Sequence, residues 1–280
     1  MNYHIRPASR KEMDIIIQWA RNEDWNPGLF DADSFYTLDP KGYLLGFYQN
    51  EPVASISAVS YNSLFGFIGF YIVKPSHRGR GLGFKIWQQA IKKLSTQSIG
   101  LDAVVAQQKN YLKSGFKIAH KNIRYKRNGL KLAKKIKEII PLTQTPFSQL
   151  LEYDEHIFPA TRPHFLKSWI IQPQSHAVGL IENNTLKGYG VVRKCIDGYK
   201  VGPLFADNSL YADKIFAELL SFVDPNQSIR IDIPDINKSA QLLIKNYSLT
   251  PIFETARMYT KNPPNIPIHK VFGQTTLEIG

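Results

Sequence analysis

The order of apolar segments in the first half of this chain is repeated in the second half, and this repetition constrains the fold more than any other feature. Residues 46–59, GFYQNEPVASISAV, and residues 179–192, GLIENNTLKGYGVV, both have the pattern of two strands joined by a tight turn. A continuous apolar run follows each pair, at residues 65–73 and 199–206, as expected for a buried strand. The chain is therefore predicted to contain two copies of one structural plan.

The repetition extends to the end of each half. Helical spacing of apolar residues predicts an amphipathic helix at residues 83–97 and again at residues 211–223. Two further strands are then predicted in each half, at residues 100–106, 117–126, 229–237 and 253–261. Residues 22–35, rich in Asp, Asn, Pro and Gly, are predicted to be a loop. A boundary before Pro141 and Pro146 gives two predicted domains, residues 1–138 and 139–280.

The composition is that of a soluble protein with a large core. Hydrophobic residues make up 43% of the 280 residues, and the longest apolar run, residues 65–73, is too short to cross a bilayer as a helix. Residues 1–14 contain no apolar stretch of the kind found in secretory signals. The single cysteine, Cys195, excludes an internal disulfide and a cysteine-based metal cluster. These features predict a cytoplasmic location, no membrane contact and no bound metal.

The positive charge is concentrated in one segment. The net charge is +12, and residues 109–137 hold eleven Lys or Arg residues and no Asp or Glu. Such a segment is compatible with a nucleic-acid-binding surface, with a solvated face, or with a surface that receives an anionic cofactor. No helix-turn-helix, zinc-binding or aromatic RNA-binding pattern accompanies it, so nucleic-acid binding is kept only as an alternative.

A glycine-rich loop follows the apolar run of the first half. Residues 78–84, RGRGLGF, place Gly79, Gly81 and Gly83 between the predicted strand and the predicted helix. Backbone N–H groups at the start of a helix, together with the helix dipole, bind anions such as phosphate. Dinucleotide-binding and P-loop patterns do not fit, because Phe84 stands where the former needs glycine and the G-K-[ST] of the latter is missing. The second half has no such loop between residues 205 and 211.

The spacing of Arg78, Gly81 and Gly83 fits R-x-x-G-x-G, which resembles the acetyl-CoA loop of the GNAT superfamily of N-acetyltransferases. FYIVKP before the loop resembles that family's central strand, and NYLKSGF resembles its L-Y-x-x-x-G-F segment, with Tyr111 on the tyrosine. WNPG, GFIGFYIV, LDAVVAQQKNY, GPLFAD, ARMY and FGQTTLEIG extend the resemblance to a bacterial subgroup in which a second, GNAT-like domain follows the first. The resemblance implies an α+β (mixed α/β) fold of tandem GNAT-like domains, each with a mostly antiparallel central sheet flanked by helices.

The resemblance also implies acetyl-CoA as the cofactor. In the family, the strand before the loop separates from its neighbour and leaves backbone groups that bind pantetheine and the acetyl carbonyl; here these belong to Tyr71, Ile72 and Val73. An N–H group there stabilises the developing oxyanion by about 2.7–4 kcal/mol. Many members have an asparagine where Val104 stands, and Gln107 or Gln108 is its candidate replacement. The pyrophosphate is expected on Arg78, Gly79, Arg80, Gly81, Leu82, Gly83 and Phe84.

The reaction that the resemblance implies is direct transfer of the acetyl group to a primary amine of a small molecule. Tyr111 is the candidate general acid, because a phenol can donate a proton to the departing thiolate through a pre-arranged hydrogen bond. Glu23 and Asp24, after the first predicted helix, are candidates for the base that takes the amine proton. The candidate substrate-binding residues are Trp25, Asp31, Phe35 and Arg162.

The second half has a different expected role. Because it lacks the glycine loop, it is expected to bind no CoA and to close the acceptor pocket or form an interface. The protein is expected to be a monomer or a homodimer. Two other functions remain compatible with the sequence: a non-catalytic, acyl-CoA-binding regulatory module, and a nucleic-acid-binding protein.

Overall fold

The computed structural model describes residues 3–130 and 136–280, and one continuous sheet runs through both halves. Its strands are β1 (Tyr3–Pro7), β2 (Tyr43–Tyr48), β3 (Glu51–Ser60), β4 (Phe65–Val73), β5 (Ser98–Val104), β6 (Lys117–Asn128), β7 (Ile139–Pro141), β8 (Ser175–Glu182), β9 (Thr185–Lys194), β10 (Tyr199–Ala206), β11 (Ser228–Pro234), β12 (Thr250–Tyr259) and β13 (Val271–Gly273). The α-helices are α1 (Met13–Asn22), α2 (Asp31–Leu38), α3 (Leu82–Lys93), α4 (Gln108–Lys113), α5 (Phe147–Glu155), α6 (Pro163–Trp169), α7 (Ser209–Phe222) and α8 (Ala240–Asn246).

The two halves contain the same elements in the same order, from β1 to β6 and from β7 to β12. The strands follow one another across the sheet as β1-β2-β3-β4-β5-β12-β6-β11-β10-β9-β8-β7, an order that reads the same from either end when corresponding strands are exchanged. The halves are therefore related by an approximate two-fold axis. Ser34 of α2 and Ser168 of α6 lie across this axis with their Oγ atoms 2.8 Å apart.

The predicted fold class is confirmed. Every strand pair in the described ranges is antiparallel except β4 with β5 and β10 with β11, so the sheet is mixed but mostly antiparallel. The two predicted hairpins are also confirmed. Each turns on two residues with positive φ, Gln49 and Asn50 in one and Asn183 and Asn184 in the other, as two-residue hairpin turns require.

The last strand of each half lies inside the sheet of the other half. β12 lies between β5 and β6, and β6 lies between β12 and β11. Each exchanged strand brings an arginine to a buried aspartate of the half that receives it. Arg257 of β12 places Nη2 2.8 Å from Oδ2 of Asp102 on β5, and Arg124 of β6 places Nε 2.7 Å from Oδ1 of Asp232 on β11.

The predicted loop at residues 22–35 is wrong in its second part, because α2 begins at Asp31. The Asp31 carboxylate accepts a hydrogen bond from the Gly28 N–H at 2.9 Å and pairs with Arg193 of β9 at 2.8 Å. An acidic side chain in the first turn stabilises a helix, and here the contact with the second half adds to that effect. The predicted boundary at residue 138 stays a prediction, since residues 131–135 lie outside the described ranges.

In the two ranges that the structure describes, every helix is too short or too polar to cross a membrane.

Candidate active site

A cleft opens where β4 and β5 separate. The two strands pair in parallel only as far as Ile68 and Leu101. Just beyond, Phe70 has a φ of 47° and the β3–β4 register shifts, with the Ser55 hydroxyl donating to the Phe70 carbonyl at 2.8 Å. A positive φ is strained for a large side chain, and such strain concentrates at functional sites. The bulge directs the end of β4 away from β5 and leaves a cavity of about 370 Å³.

The backbone segment predicted to bind the cofactor lines this cavity. Tyr71, Ile72 and Val73 are all among its lining residues. On one edge, Ile72 and Val73 remain paired with Ser55 and Ala54 of β3. On the other edge the ladder to β5 has ended, so this segment presents a free strand edge to the cavity.

The three glycines of the loop are required for two different reasons. Gly79 and Gly81 both have a φ of 74°, and a β-carbon on either would meet nothing within 4 Å, so their backbone conformation favours glycine. Gly81 also caps α3. Gly83 is crowded instead: its β-carbon would lie 2.9 Å from the Tyr71 hydroxyl oxygen and 2.9 Å from Cγ2 of Val73. The first turn of α3, with its free N–H groups, therefore packs directly beside the end of β4.

The side chains of the loop point to different partners. Arg78 lines the cavity, but its Nε donates to the Val73 carbonyl at 2.9 Å and its Nη2 forms an ion pair with Glu23. The Arg80 guanidinium lies 4.5 Å from the centre of the Tyr48 ring and outside the cavity lining. Leu82 is buried and Phe84 is 62% exposed.

Tyr111 lines the cavity within a group of aromatic rings. Its ring centre lies 5.3 Å from that of Trp87, which in turn lies 5.6 Å from that of Tyr71. Burial raises the pKa of Tyr111 well above its ordinary value, and the Tyr71 phenol adds to this shift. The phenol is therefore protonated at neutral pH. Gln107 lines the same cavity, and its side-chain oxygen accepts a hydrogen bond from Asn110 at 2.8 Å.

Four of the residues predicted to carry chemistry or bind substrate lie outside the cavity lining. Asp24 is exposed, with a φ of 60°, and borders a neighbouring hollow. Asp31 is held by Arg193, as described above. Phe35 is fully buried and packs against Phe70, with ring centres 5.7 Å apart, so it supports the bulge from behind.

Arg162, the fourth, is a core residue of the second half. Both its Nε and Nη2 donate to the Asp154 carboxylate, at 2.8 and 2.7 Å. The side chains of the pair are fully buried. Of the residues predicted for the acceptor side, the structure therefore places Glu23 and Trp25 at the cavity. Asp24, Asp31, Phe35 and Arg162 lie elsewhere.

Besides Ile68, Gly69, Phe70 and Leu101, beside the predicted segments, five more distant lining residues were missed by the sequence reasoning. They come from the exchanged strands and from the last segment of the chain, and they are Arg124, Phe253, Thr255, Leu277 and Glu278. The Trp25 carbonyl accepts hydrogen bonds from Arg124 at 3.3 Å and from Lys200 at 3.2 Å. One wall of the cavity is thus built or held by the second half. Only the segments ARMY and FGQTTLEIG, noted as family-like, pointed to this region.

The equivalent place in the second half is filled by the chain itself. β10 and β11 pair in parallel only from Tyr199 to Val201, so these strands also separate. Beyond that point β13 pairs with β10, with Leu204 opposite Gly273 and Phe205 opposite Val271. In the second half, β13 therefore covers the edge of β10 that corresponds to the free edge of β4 in the first half.

Known proteins resemble both halves. Residues 10–116 match the profile of the acetyltransferase (GNAT) family, and residues 150–273 match that of an acetyltransferase (GNAT) domain. The holothin acyltransferase of Pseudoalteromonas sp. is 31% identical over 275 residues, 98% of this chain and 94% of that protein. A putative acetyltransferase from Pyrococcus horikoshii superposes with a TM-score of 0.84 at 22% identity, over 100% of this chain and 96% of that one.

A tandem GNAT protein from the clavulanic acid biosynthesis pathway superposes with a TM-score of 0.62 at 10% identity. The alignment covers 94% of this chain and all of that protein (100%). The arrangement of two similar halves in one chain thus has a counterpart among solved structures.

Proposed function

The chain belongs to the GNAT acetyltransferase family and is an acyltransferase, and we propose that it transfers the acetyl group of acetyl-CoA to a primary amine of a small molecule. The observation that carries this proposal is the free edge of β4 beyond Ile68, next to the glycine loop that opens α3. A free strand edge binds an extended, amide-containing chain, and the start of a helix binds phosphate. In acetyl-CoA, the amide-containing chain is pantetheine and the phosphate group is the pyrophosphate that follows it.

The residues present fit acetyl-CoA, which supplies the acetyl thioester when bound. The backbone of Tyr71, Ile72 and Val73 would hold the pantetheine arm, with Gln107 beside it. The N–H groups of residues 79–84 would hold the pyrophosphate. Arg78 would remain bound to Glu23 and would contribute charge rather than a direct contact.

Two groups of the chain would act on the reacting atoms. A backbone N–H group of the 71–73 segment donates to the carbonyl oxygen as negative charge develops there, worth about 2.7–4 kcal/mol. Tyr111 donates its phenolic proton to the departing sulfur. Glu23 and Trp25 border the side from which the amine approaches, whereas Asp24 lies one hollow away.

The second half supports the first without a cofactor of its own. β13 takes up the strand edge that a second pantetheine arm would need. We therefore propose one CoA site per chain, with residues 1–138 carrying the catalytic unit and residues 139–280 completing its acceptor side. A cytoplasmic location and a monomeric or homodimeric state remain predictions.

The alternative of nucleic-acid binding is weakened by how the basic segment is used. Arg124 pairs with Asp232, Arg127 donates to the Tyr247 carbonyl at 3.0 Å, and Lys121 pairs with Glu254 at 3.0 Å. Arg124 and Lys121 thus link strands of the sheet, and Arg127 links the sheet to the end of α8. The other alternative is a non-catalytic acyl-CoA sensor. Only a measurement of turnover distinguishes such a sensor from an enzyme.

A thiol-release assay with acetyl-CoA and a panel of primary amines tests the proposed function. Turnover with at least one small amine, together with binding of one CoA per chain in calorimetry, is expected. CoA binding without turnover on any amine would favour the sensor, and failure to bind CoA would overturn the assignment. Since the Pseudoalteromonas relative is named a holothin acyltransferase, holothin is included in the panel.

A further inference from the structure

Three carboxylates line the cavity, and one of them has no partner. Glu23 is bound by Arg78, and Asp102 is bound by Arg257 at 2.8 Å. The carboxylate of Glu278 has no hydrogen-bond donor and no ion-pair partner among the described residues, although the residue is only 6% exposed. A largely buried carboxylate without protein donors depends on water or on a ligand to supply them.

The backbone around Glu278 is held rigidly at the point where β4 and β5 separate. A β-carbon on Gly69 would lie 2.1 Å from the Glu278 carbonyl oxygen, so the last segment of the chain packs directly on the backbone of β4. The Tyr61 hydroxyl donates to the Ile279 carbonyl at 2.6 Å, and the Glu278 N–H donates to Oγ1 of Thr276 at 3.2 Å. Glu278 is therefore held at the cavity wall by a backbone that is fixed on both sides.

Three cations near Glu278 favour its charged form, although none of them forms an ion pair with it. Arg124, Arg193 and Lys200 all interact with it electrostatically, yet none lies within ion-pair distance. Arg124 and Arg193 already bind Asp232 and Asp31, and Lys200 donates to the Trp25 carbonyl.

Apart from Glu23 and Thr255, the rest of the acceptor side is apolar, and among the described residues it offers no unpaired cation. Trp25, Phe253 and Leu277 line it, and the Arg124 guanidinium lies 5.5 Å from the centre of the Phe253 ring. The lining arginines, Arg78 and Arg124, are each bound to a carboxylate of the protein. An acceptor that carried its own carboxylate would find no free positive partner here, whereas an ammonium group would find Glu278.

On the basis of the proposed function, we propose that Glu278 receives the ammonium group of the acceptor and takes its proton, and that the acceptor is an aromatic or apolar primary amine without a carboxylate. The first proton passes from the ammonium nitrogen to Glu278 and then to solvent. The neutral nitrogen forms the N–C bond as the C–S bond breaks. Tyr111 protonates the sulfur and recovers the second nitrogen proton, so the net products are the amide, free CoA thiol and one proton.

Two measurements test this proposal. The first compares 2-phenylethylamine with L-phenylalanine as acceptors for the wild-type protein, and a preference of at least about tenfold in kcat/KM for the amine without a carboxylate is expected, since a lost charge partner costs more than 1.4 kcal/mol. The second compares Glu278→Gln with the wild type. A loss of about 100-fold or more in kcat/KM for 2-phenylethylamine is expected, as for other general bases.

Matched controls separate a chemical role from a structural one. Glu254→Gln, an exposed glutamate on β12, should retain wild-type kcat/KM. The CoA dissociation constant of Glu278→Gln should stay within about threefold of wild type, because the cofactor contacts are elsewhere. With 4-methoxyaniline, which arrives unprotonated at neutral pH, the penalty of Glu278→Gln should shrink, because no proton has to be removed before attack.

Different results would overturn the role of Glu278 and the proposed acetyltransferase function. If a broad amine panel yields products but L-phenylalanine is preferred, or if Glu278→Gln keeps wild-type kcat/KM, the role of Glu278 is overturned while the acyltransferase function stands. An equal penalty on both amines would also overturn the role as a base. If the wild-type protein binds no CoA, the proposed function itself fails.

Discussion

Arg257 and Asp102 form a buried ion pair across the line where the second half of the chain enters the sheet of the first. The guanidinium donates Nη2 to Oδ2 at 2.8 Å and Nε to both carboxylate oxygens at 3.1 Å. The two side chains are 4% and 0% exposed. The pair therefore fixes β12 beside β5 at the margin of the active-site cavity.

Loss of Arg257 should unfold this junction. Arg257→Ala leaves the Asp102 charge buried without its partner, and we expect the free energy of unfolding to fall by about 3–5 kcal/mol. Lys121→Ala, which removes an exposed ion pair on the same strands, should cost at most about 1 kcal/mol. Denaturant unfolding followed by circular dichroism measures both, and equal losses would contradict the assigned importance of the buried pair.

His120, on β6 opposite Arg257, should make stability depend on pH. Burial, and then the charge of Arg257, lowers its pKa to about 3 from 6.5. Below pH 6.5 the unfolded chain takes up a proton that the folded protein does not, so the free energy of unfolding should fall by about 1.4 kcal/mol per pH unit until pH nears 3. His120→Gln should flatten this slope in unfolding measured between pH 7 and 5. His164→Gln, which replaces an exposed histidine, is the control and should keep the wild-type slope. If His120→Gln also keeps the wild-type slope, His120 is not the cause of the pH dependence.

Tyr111→Phe should separate chemistry from binding. Removing the phenolic proton donor is expected to lower kcat by about 100-fold to 10,000-fold. The CoA dissociation constant should change by less than about threefold, because the ring keeps its packing against Trp87. Steady-state kinetics and calorimetry test this, with Tyr199→Phe in the second half as the matched control. Unchanged kcat would remove Tyr111 from the mechanism.

Gly81→Val should weaken CoA binding. A β-branched side chain is strained at a φ of 74°, so the loop would have to change conformation, and loss of one charge-assisted backbone hydrogen bond corresponds to about tenfold or more in affinity. Gly115→Val introduces comparable strain at a φ of 86° in open space outside the loop. Calorimetry should show the affinity loss in the first variant only. An equal loss in both would indicate a general effect of strain.

Local patterns predicted the repeated order of elements because strand and helix periodicity is a property of neighbouring residues. The hairpins and the strands at β5 and β11 were accessible in this way, whereas the separation of β4 near Tyr71 was implied only by the family resemblance. The exchange of β6 and β12 could not be predicted. Each strand shows the same alternation of apolar and polar residues whichever half receives it. Asp31 and Phe35 were placed in a loop because their contacts, with Arg193 and Trp169, come from the distant half.

Glu278 was hidden for the same reason. Nothing in FGQTTLEIG has strand or helix periodicity, and its place is set by the bare backbone of Gly69 and by the Tyr61 hydroxyl, more than two hundred residues earlier. From sequence alone, a glutamate in an irregular segment is expected to be exposed to solvent. Only the packed structure shows that it is buried and faces a cavity.

The exchanged strands have a consequence for how such a chain can evolve. Recombination that replaced only the second half would place a foreign β12 beside Asp102 and a foreign last segment against Gly69. The half without a cofactor loop therefore cannot be shuffled among relatives as an independent module. Exchange of the whole chain, by contrast, would keep both contacts intact.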